Sequence, residues 1–279
     1  MENLRKYRIA VVQMDSRGDK GANLKYACQC IDEAAGGGAK LISFPEMMNL
    51  VGRNVGEGGG HETIPGYTTE ILMAKAREHK MYIHSGSFYK VVEGEDRAYN
   101  TSVIIDPEGK IIGEYHKLHP FDITMPNGTA HKESDRIRPG DEIVVTDTAL
   151  GKMGMSICYD IRFPELYRIM ALEGAQVIFT PASFTMATGK EHWEPILRTR
   201  AIENACYIVA ADQIGSKGAY PAYGHSMVID PWGTVIARAR DEAGMFYADI
   251  DLDYEDRIRQ KVPVLENRRG DIYQVKRNK

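Results

Sequence analysis

Two stretches of this chain, YNTSVIIDPEGKII at 99–112 and YGHSMVIDPWGTVI at 223–236, repeat one another around a shared D-P-x-G turn. In such a turn aspartate caps the backbone, proline presets the first angle and glycine relaxes the end. GAKLISFPE (38–46) likewise echoes GAQVIFTPA (174–182), and MYI (81–83) echoes CYI (206–208), in the same order along the chain. A sequence that repeats in this way is restricted to two similar βαβαββ-type halves. Half-sheets that carry helices on one face bury the other by packing sheet on sheet. The expected architecture is therefore α/β: a four-layer α-β-β-α sandwich of two pseudo-symmetric halves. It forms a single domain over 1–279, because neither sheet has another cover.

Hydrophobic periodicity fills this frame. RIAVVQM (8–14), KLISF (40–44), MYIHSGSF (81–88), NTSVIID (100–106) and KIIGEY (110–115) read as strands of the first half. KMGMSIC (152–158), QVIFT (176–180), CYIVAAD (206–212), HSMVID (225–230) and TVIARA (234–239) read as strands of the second. Asn23 to Ala35, Thr68 to His79, Pro164 to Glu173 and Glu191 to Asn204 read as helices, and GGG at 36–38 closes the first of them. The loop 52–66, glycine-rich at Gly58–Gly60, has no phosphate-loop pattern and is expected to line or cover a site. A charged, extended tail runs from Asp251 to Lys279.

Composition removes several function classes. A net charge of −4 leaves no basic footprint for nucleic acid. No apolar run approaches the roughly 20 residues needed to span a bilayer. The opening MENLRKYRIAVVQM has an apolar stretch too short and strand-like for a signal peptide, so a cytoplasmic location is expected. The cysteines at 28, 30, 158 and 206 have no disulfide-framework spacing. Cys28 and Cys30, two apart on a helix, point in different directions, and Cys206 sits in the apolar run ACYIVAA as a core residue. His116 and His119 flank Lys117 and Leu118 at a strand end without the helical face of a zinc motif, so no metal site is read there.

Ligands of α/β sheets gather at the carboxyl ends of strands, and there the halves differ. Glu46 follows KLISFP where the second half has Ala182, and Cys158 follows its strand where the first half runs on through Met14 and Asp15. Lys117, in EYHKLHPFD, ends a third strand. Each has an ordinary reading: a solvated carboxylate, an exposed strand-end charge, a buried thiol. Together they support acyl transfer. A lysine ammonium or a helix N-terminus favours thiolate, and Pro164 starts a helix just beyond Cys158. A glutamate can take the thiol proton, pass it to a leaving nitrogen and later activate water. A lysine and the backbone N–H of Tyr159 can hold the oxyanion.

The blocks FPEM, HKLHPFD, KESDRIRPGD, CYDIRFPELYR, HWEPILRTRAIEN and YGHSMVIDPWGTV occur in this order over nearly the whole chain, and they resemble the nitrilase superfamily of carbon–nitrogen hydrolases. The resemblance implies Glu46 as general base, Lys117 as oxyanion cation and Cys158 as nucleophile, with amide hydrolysis through a thioester and no metal or organic cofactor. It also implies a second glutamate, matched by Glu133, which nothing in the local HKESDR run separates from a solvated charge cluster.

CYD-x-RFPE with HWE and GHSMV-DPWG is most similar to the omega-amidase and deaminated glutathione amidase branch, which implies small linear amides carrying a carboxylate. N-carbamoyl-amino-acid hydrolysis, nitrile hydrolysis and a non-catalytic binding role on the same fold remain as alternatives. Arg162 is the candidate for the substrate carboxylate; tying down the Glu46 loop or the helix start is its other reading. The resemblance further implies that the tail, about 251–279, lies across a partner subunit in a homodimer or a multiple of one. VGRNVGEGGGHETIPG and DITMPNGTAHKES match neither named activity closely, so the sequence leaves the physiological substrate open.

Overall fold

The structure, a computed structural model, describes residues 4–51, 60–124, 128 and 130–278. The expectation that loop 52–66 covers a site falls largely on 52–59, outside the described residues.

The first sheet is built from β1 (Lys6–Gln13), β2 (Leu41–Ser43), β3 (Tyr82–His84), β4 (Phe88–Val91), β5 (Ala98–Ile105) and β6 (Ile111–His116). The second is built from β7 (Val145–Thr148), β8 (Gly151–Met155), β9 (Val177–Phe179), β10 (Tyr207–Ala210), β11 (Met227–Ile229) and β12 (Val235–Arg238). A last strand, β13 (Gly244–Asp251), returns to the edge of the first sheet. The first sheet runs β13-β1-β2-β3-β5, with β4 and β6 also paired to β5, and the second runs β12-β11-β10-β9-β8-β7. β1 and β2 are parallel in register Ile9↔Leu41, as β8 and β9 are in register Met153↔Val177. Each half adds an antiparallel strand beside its first one, β13 on β1 and β7 on β8.

The duplication extends to the turns. Asp106 Oδ1 accepts from Glu108 N and Lys110 N at 3.0 and 2.8 Å, and Asp230 Oδ1 accepts from Trp232 N and Thr234 N at 2.9 Å each. Gly109 and Gly233 close the two turns at φ +73° and +88°, and both hairpins carry a register shift at the matching place.

Three apolar interfaces make the four layers. Between the sheets, Ile9, Val11 and Leu41 pack with Met153, Val177 and Val209. Outside the first sheet, Val12 and Ile42 meet Leu24 and Ile31 of α1 (Lys20–Gly36) and Leu72 of α2 (Tyr67–His79). Outside the second, Ile178 and Ile208 meet Leu166 and Met170 of α3 (Pro164–Leu172) and Leu197 of α4 (Glu194–Asn204). Strands covered on both faces read as continuous apolar runs rather than alternating ones, which is how β1 and β10 look in the sequence.

Three elements depart from expectation. MYIHSGSF is two strands, broken at Ser85-Gly86-Ser87. The helix expected from Glu191 starts at Glu194, behind a five-residue wide turn over Gly189–Trp193. That turn buries Trp193 completely and aims its Nε1 at His225 O, 3.0 Å away. Part of the tail forms α5 (Leu252–Lys261), which buries Leu252, Glu255 and Ile258 against its own chain.

Candidate active site

The break in MYIHSGSF is the cradle for Glu46. Phe44 N donates to His84 O at 3.2 Å, Ser87 N to Pro45 O at 3.1 Å, Met47 N to Ser87 Oγ at 3.1 Å and Met48 N to Ser87 O at 3.0 Å. Gly86 sits at φ +68°, and a Cβ there would lie 2.1 Å from Pro45 O, so only glycine lets the two loops approach this closely. Held in this way, Glu46 is 3% exposed. Its Oε1 accepts from Asn100 Nδ2 at 2.9 Å and Lys117 Nζ at 3.1 Å, and its Oε2 accepts from Ser183 N at 2.8 Å.

Lys117 follows β6, with its N–H on Asn100 O at 2.9 Å. Its buried ammonium also donates to Glu133 Oε2 at 2.9 Å and Oε1 at 3.2 Å. Glu133 opens a short turn, Glu133–Asp135, and accepts from Phe121 N as well. Burial works against the charge on Lys117, but Glu133 and Glu46 on either side win and hold it protonated well above the usual lysine range.

Cys158 stands where β8 gives way to a short turn, Cys158–Arg162, in the left-handed region at φ +47°. A non-glycine residue there is strained, and surrounding contacts must hold it. Here Cys158 N donates to Pro181 O at 2.8 Å. Burial, and then the Glu46 charge, push the Cys158 thiol well above its ordinary range; Lys117 and the Ser183 N–H pull the other way without prevailing. The resting group is a thiol beside a carboxylate. Lys117 acts in the expected direction, toward thiolate, but burial and Glu46 outweigh it.

Glu46, Lys117, Glu133 and Cys158 are thus brought together. Tyr159 follows Cys158 in the first turn of the short helix, where backbone N–H groups have no intrahelical acceptor. The Arg162 guanidinium lies over the rings of Tyr159 and Phe184, 5.8 and 5.4 Å from their centres, with its nitrogens 3.4 Å from His192 Nδ1. Among the described residues no carboxylate lies in ion-pair range of it, and it makes no hydrogen bond to the Glu46 loop.

Sequence reasoning missed several neighbours. Asn100 and Ser183 both donate to Glu46. Tyr220, whose hydroxyl is 2.7 Å from Ser183 Oγ, is pushed up by burial and then by Glu46 and Cys158. Tyr89 donates to Met47 Sδ at 3.0 Å and is pushed up by burial, Glu133 and Glu46. Ser183 had a signal: it directly follows Ala182, the counterpart of Glu46 in the repeat. The two histidines beside Lys117 part company, His116 Nδ1 to Thr101 Oγ1 at 2.9 Å and His119 Nδ1 to Asp160 Oδ1 at 2.7 Å. Among the described residues, Asp32, Glu78 and His79 lie close enough to share an ion, but Lys75 Nζ already sits 2.6 Å from Asp32 and 2.9 Å from Glu78.

The chain has relatives along nearly its whole length. The carbon-nitrogen hydrolase family profile matches residues 8–260. The omega-amidase NIT2 of Bos taurus is 38% identical over 274 residues, covering 98% of this chain and 99% of its own. A deaminated glutathione amidase of a Synechocystis species is 39% identical over 269 residues, covering 95% and 99%. The crystal structure of the C. elegans NitFhit protein superposes with a TM-score of 0.93 at 36% identity, over 100% of this chain and 68% of that one. The chain belongs to the carbon-nitrogen hydrolase family and is a hydrolase of the amidase class, on the nitrilase-superfamily fold. Among the described residues no helix is long and apolar enough to cross a membrane.

Proposed function

We propose that this protein is a cysteine-dependent amidase that hydrolyses small linear amides carrying a carboxylate, releasing ammonia and the corresponding acid through a thioester. The observation that carries this reading is the convergence of Glu46 and the Cys158 thiol, with Lys117 held charged between two carboxylates.

The thiol adds to the amide carbon as its proton passes to Glu46, so the S–C bond forms without a free thiolate building up at rest. The oxygen becomes an oxyanion between Lys117 Nζ and the Tyr159 N–H. As the C–N bond breaks, Glu46 returns the proton to the nitrogen and ammonia leaves. Water then adds to the thioester, again giving its proton to Glu46, and collapse releases the acid and restores the thiol. Lys117 stays protonated throughout, and Glu133 supports it. No step calls for a metal or organic cofactor.

Arg162 supports a carboxylate-bearing substrate: it is a cation in the turn that Cys158 opens, lying over two rings and paired with no acid among the described residues. The omega-amidase and deaminated glutathione amidase names of its relatives agree with that class. N-carbamoyl amino acids and nitriles are the competing substrates. A cytoplasmic setting accords with four free cysteines. A homodimer accords with the exposed apolar side chains Ile202, Trp232, Ile272 and Tyr273, of which the last two lie in the tail.

The test is ammonia release from 2-oxoglutaramate, deaminated glutathione, glutamine-like amides, N-carbamoyl amino acids and nitriles. Turnover of the first two classes that Cys158→Ala abolishes is expected. Release confined to nitriles or carbamoyl compounds, or release that survives Cys158→Ala, overturns the reading.

A further inference from the structure

Asp160 is completely buried and belongs to none of the steps above, yet it touches the machinery from both sides. It is two residues past Cys158, and its Oδ2 accepts from Ile157 N at 2.8 Å, one residue before the nucleophile. The same oxygen accepts from Tyr115 OH at 2.7 Å, two residues before Lys117. Its Oδ1 accepts from His119 N at 3.1 Å and His119 Nδ1 at 2.7 Å, two residues after Lys117. The Tyr115 oxygen in turn accepts from Leu118 N at 3.3 Å. One carboxylate therefore brackets Lys117 along the first half of the chain and Cys158 along the second.

We propose that Asp160 is a positioning residue that fixes the width of the oxyanion site, by holding the Lys117 strand end and the Cys158 turn at one separation. This rests on the amidase reading above. Capping the Cys158–Arg162 turn needs only the contact to Ile157 N; the three contacts to Tyr115 and His119 reach across to another sheet and serve no cap. The clamp extends to the second oxyanion donor. The His119 ring stacks on Phe163 with centres 3.6 Å apart and planes 9° from parallel, and Phe163 meets the Tyr159 ring edge to face at 5.5 Å. Lys117 on one side and Tyr159 on the other are thus referred to the same buried carboxylate. A fixed frame matters here because an oxyanion donor acts through where it stands when charge develops, and small displacements forfeit much of its effect.

Two reactions of Cys158 separate positioning from mere folding. Amide hydrolysis passes through an oxyanion. Alkylation by iodoacetamide does not: an S–C bond forms, the C–I bond breaks and iodide departs. Asp160→Asn keeps the volume but replaces an acceptor by a donor. It is expected to lower kcat on an ω-amide about 100-fold, the scale of one oxyanion donor, with KM and the Cys158 alkylation rate within about 3-fold of wild type. Tyr115→Phe and His119→Phe, which each remove one side-chain contact to Asp160 and leave Asp160 in place (the first also frees Leu118 N), are expected to lower kcat about 5- to 20-fold with alkylation unchanged. These two carry the test if Asp160→Asn does not fold. Wild-type kcat in the variants overturns the proposal, as does a loss of alkylation parallel to the loss of kcat, which marks a collapsed turn. Wild-type protein that alkylates at Cys158 but hydrolyses no amide defeats the amidase reading instead, a result distinguishable from either.

Discussion

Lys117 Nζ stands 3.1 Å from Glu46 Oε1 and 2.9 Å from Glu133 Oε2, with the lysine side chain 2% exposed. A cation this deep is tolerated because two carboxylates face it, and removing it leaves both uncompensated. Lys117→Met is expected to cost about 3–5 kcal/mol of stability and to lower amide turnover by about 1000-fold or more. Chemical denaturation and ammonia release measure the two effects. A stable, active Lys117→Met protein would show that the ion chain serves neither purpose.

Replacing Glu46 is expected to act in opposite directions on two reactions of the same sulfur. Its negative charge is, after burial, the largest influence holding the Cys158 thiol up, so replacing it by a neutral group brings the thiol down toward its ordinary range. Glu46→Gln is therefore expected to shift the pH midpoint of Cys158 alkylation to lower pH while amide turnover falls about 1000-fold for want of a base. An alkylation profile that stays in place, or moves to higher pH, contradicts this account of the thiol.

The positions of Glu46, Lys117 and Cys158 are legible in the sequence for a local reason, while their roles, and Glu133 altogether, rest on the resemblance to a family. A strand end is marked by where an apolar run stops, so Glu46, Lys117 and Cys158 each declare their place within a few residues. The duplication supplied the layers, because two copies of one pattern have to cover each other. Contacts that join distant segments leave no such mark. Ser183 lies 2.8 Å from Glu46 Oε2 although 137 residues separate them, and Asp160 reaches Tyr115 across 45. The break at Ser85-Gly86-Ser87 was hidden for a related reason: its need for glycine comes from the Pro45 carbonyl, which only the fold puts there. In the tail, charges at most positions of LDYEDRIRQK masked the spacing of Leu252, Glu255 and Ile258, which all face inward.

His84 ties stability to pH. It is wholly buried, with Ser43 Oγ and Ser102 Oγ each 2.9 Å from its ring nitrogens and Phe179 stacked at 4.3 Å, and burial pushes its imidazole down to about 3. The unfolded chain takes up that proton near its ordinary value of about 6.5, so the stability is fully present above that and drains away as pH falls toward 3. Against a His84→Gln reference, which lacks this titration, wild type is expected to lose roughly 2–3 kcal/mol between pH 7 and pH 4.5. Denaturation curves of both proteins at the two pH values give the difference; a gap independent of pH means the ring is not held neutral.

Substitution of Arg162 tests substrate recognition separately from chemistry. Its guanidinium rests on Tyr159 and Phe184 at 5.8 and 5.4 Å, so Arg162→Gln removes the charge and leaves Lys117 and Glu46 untouched. A charge-assisted pair is worth about 1.5–3 kcal/mol, so KM for carboxylate-bearing amides is expected to rise roughly 10- to 100-fold. Turnover of a short neutral amide such as propionamide is expected to stay within about 2-fold. Equal losses on both substrates would assign Arg162 to the architecture of the turn.

The tail poses a cleaner question once it is cut in the right place. α5 buries Leu252, Glu255 and Ile258 on its own chain, so a deletion from Asp251 onward removes core and reports on folding alone. Beyond Lys261 the contacts thin out: Arg277 reaches Ile143 O at 2.7 Å and Glu173 Oε2 at 2.8 Å, while Ile272 and Tyr273 are 71% and 54% exposed. Exposed apolar side chains on a segment with so few contacts of its own are suited to burial against a second subunit. A chain ending at Lys261 is expected to keep its helical content and thermal transition but to sediment at a smaller mass than the full-length protein. Full-length protein that sediments as a monomer, or a truncated chain that keeps the larger mass, removes the tail from the assembly.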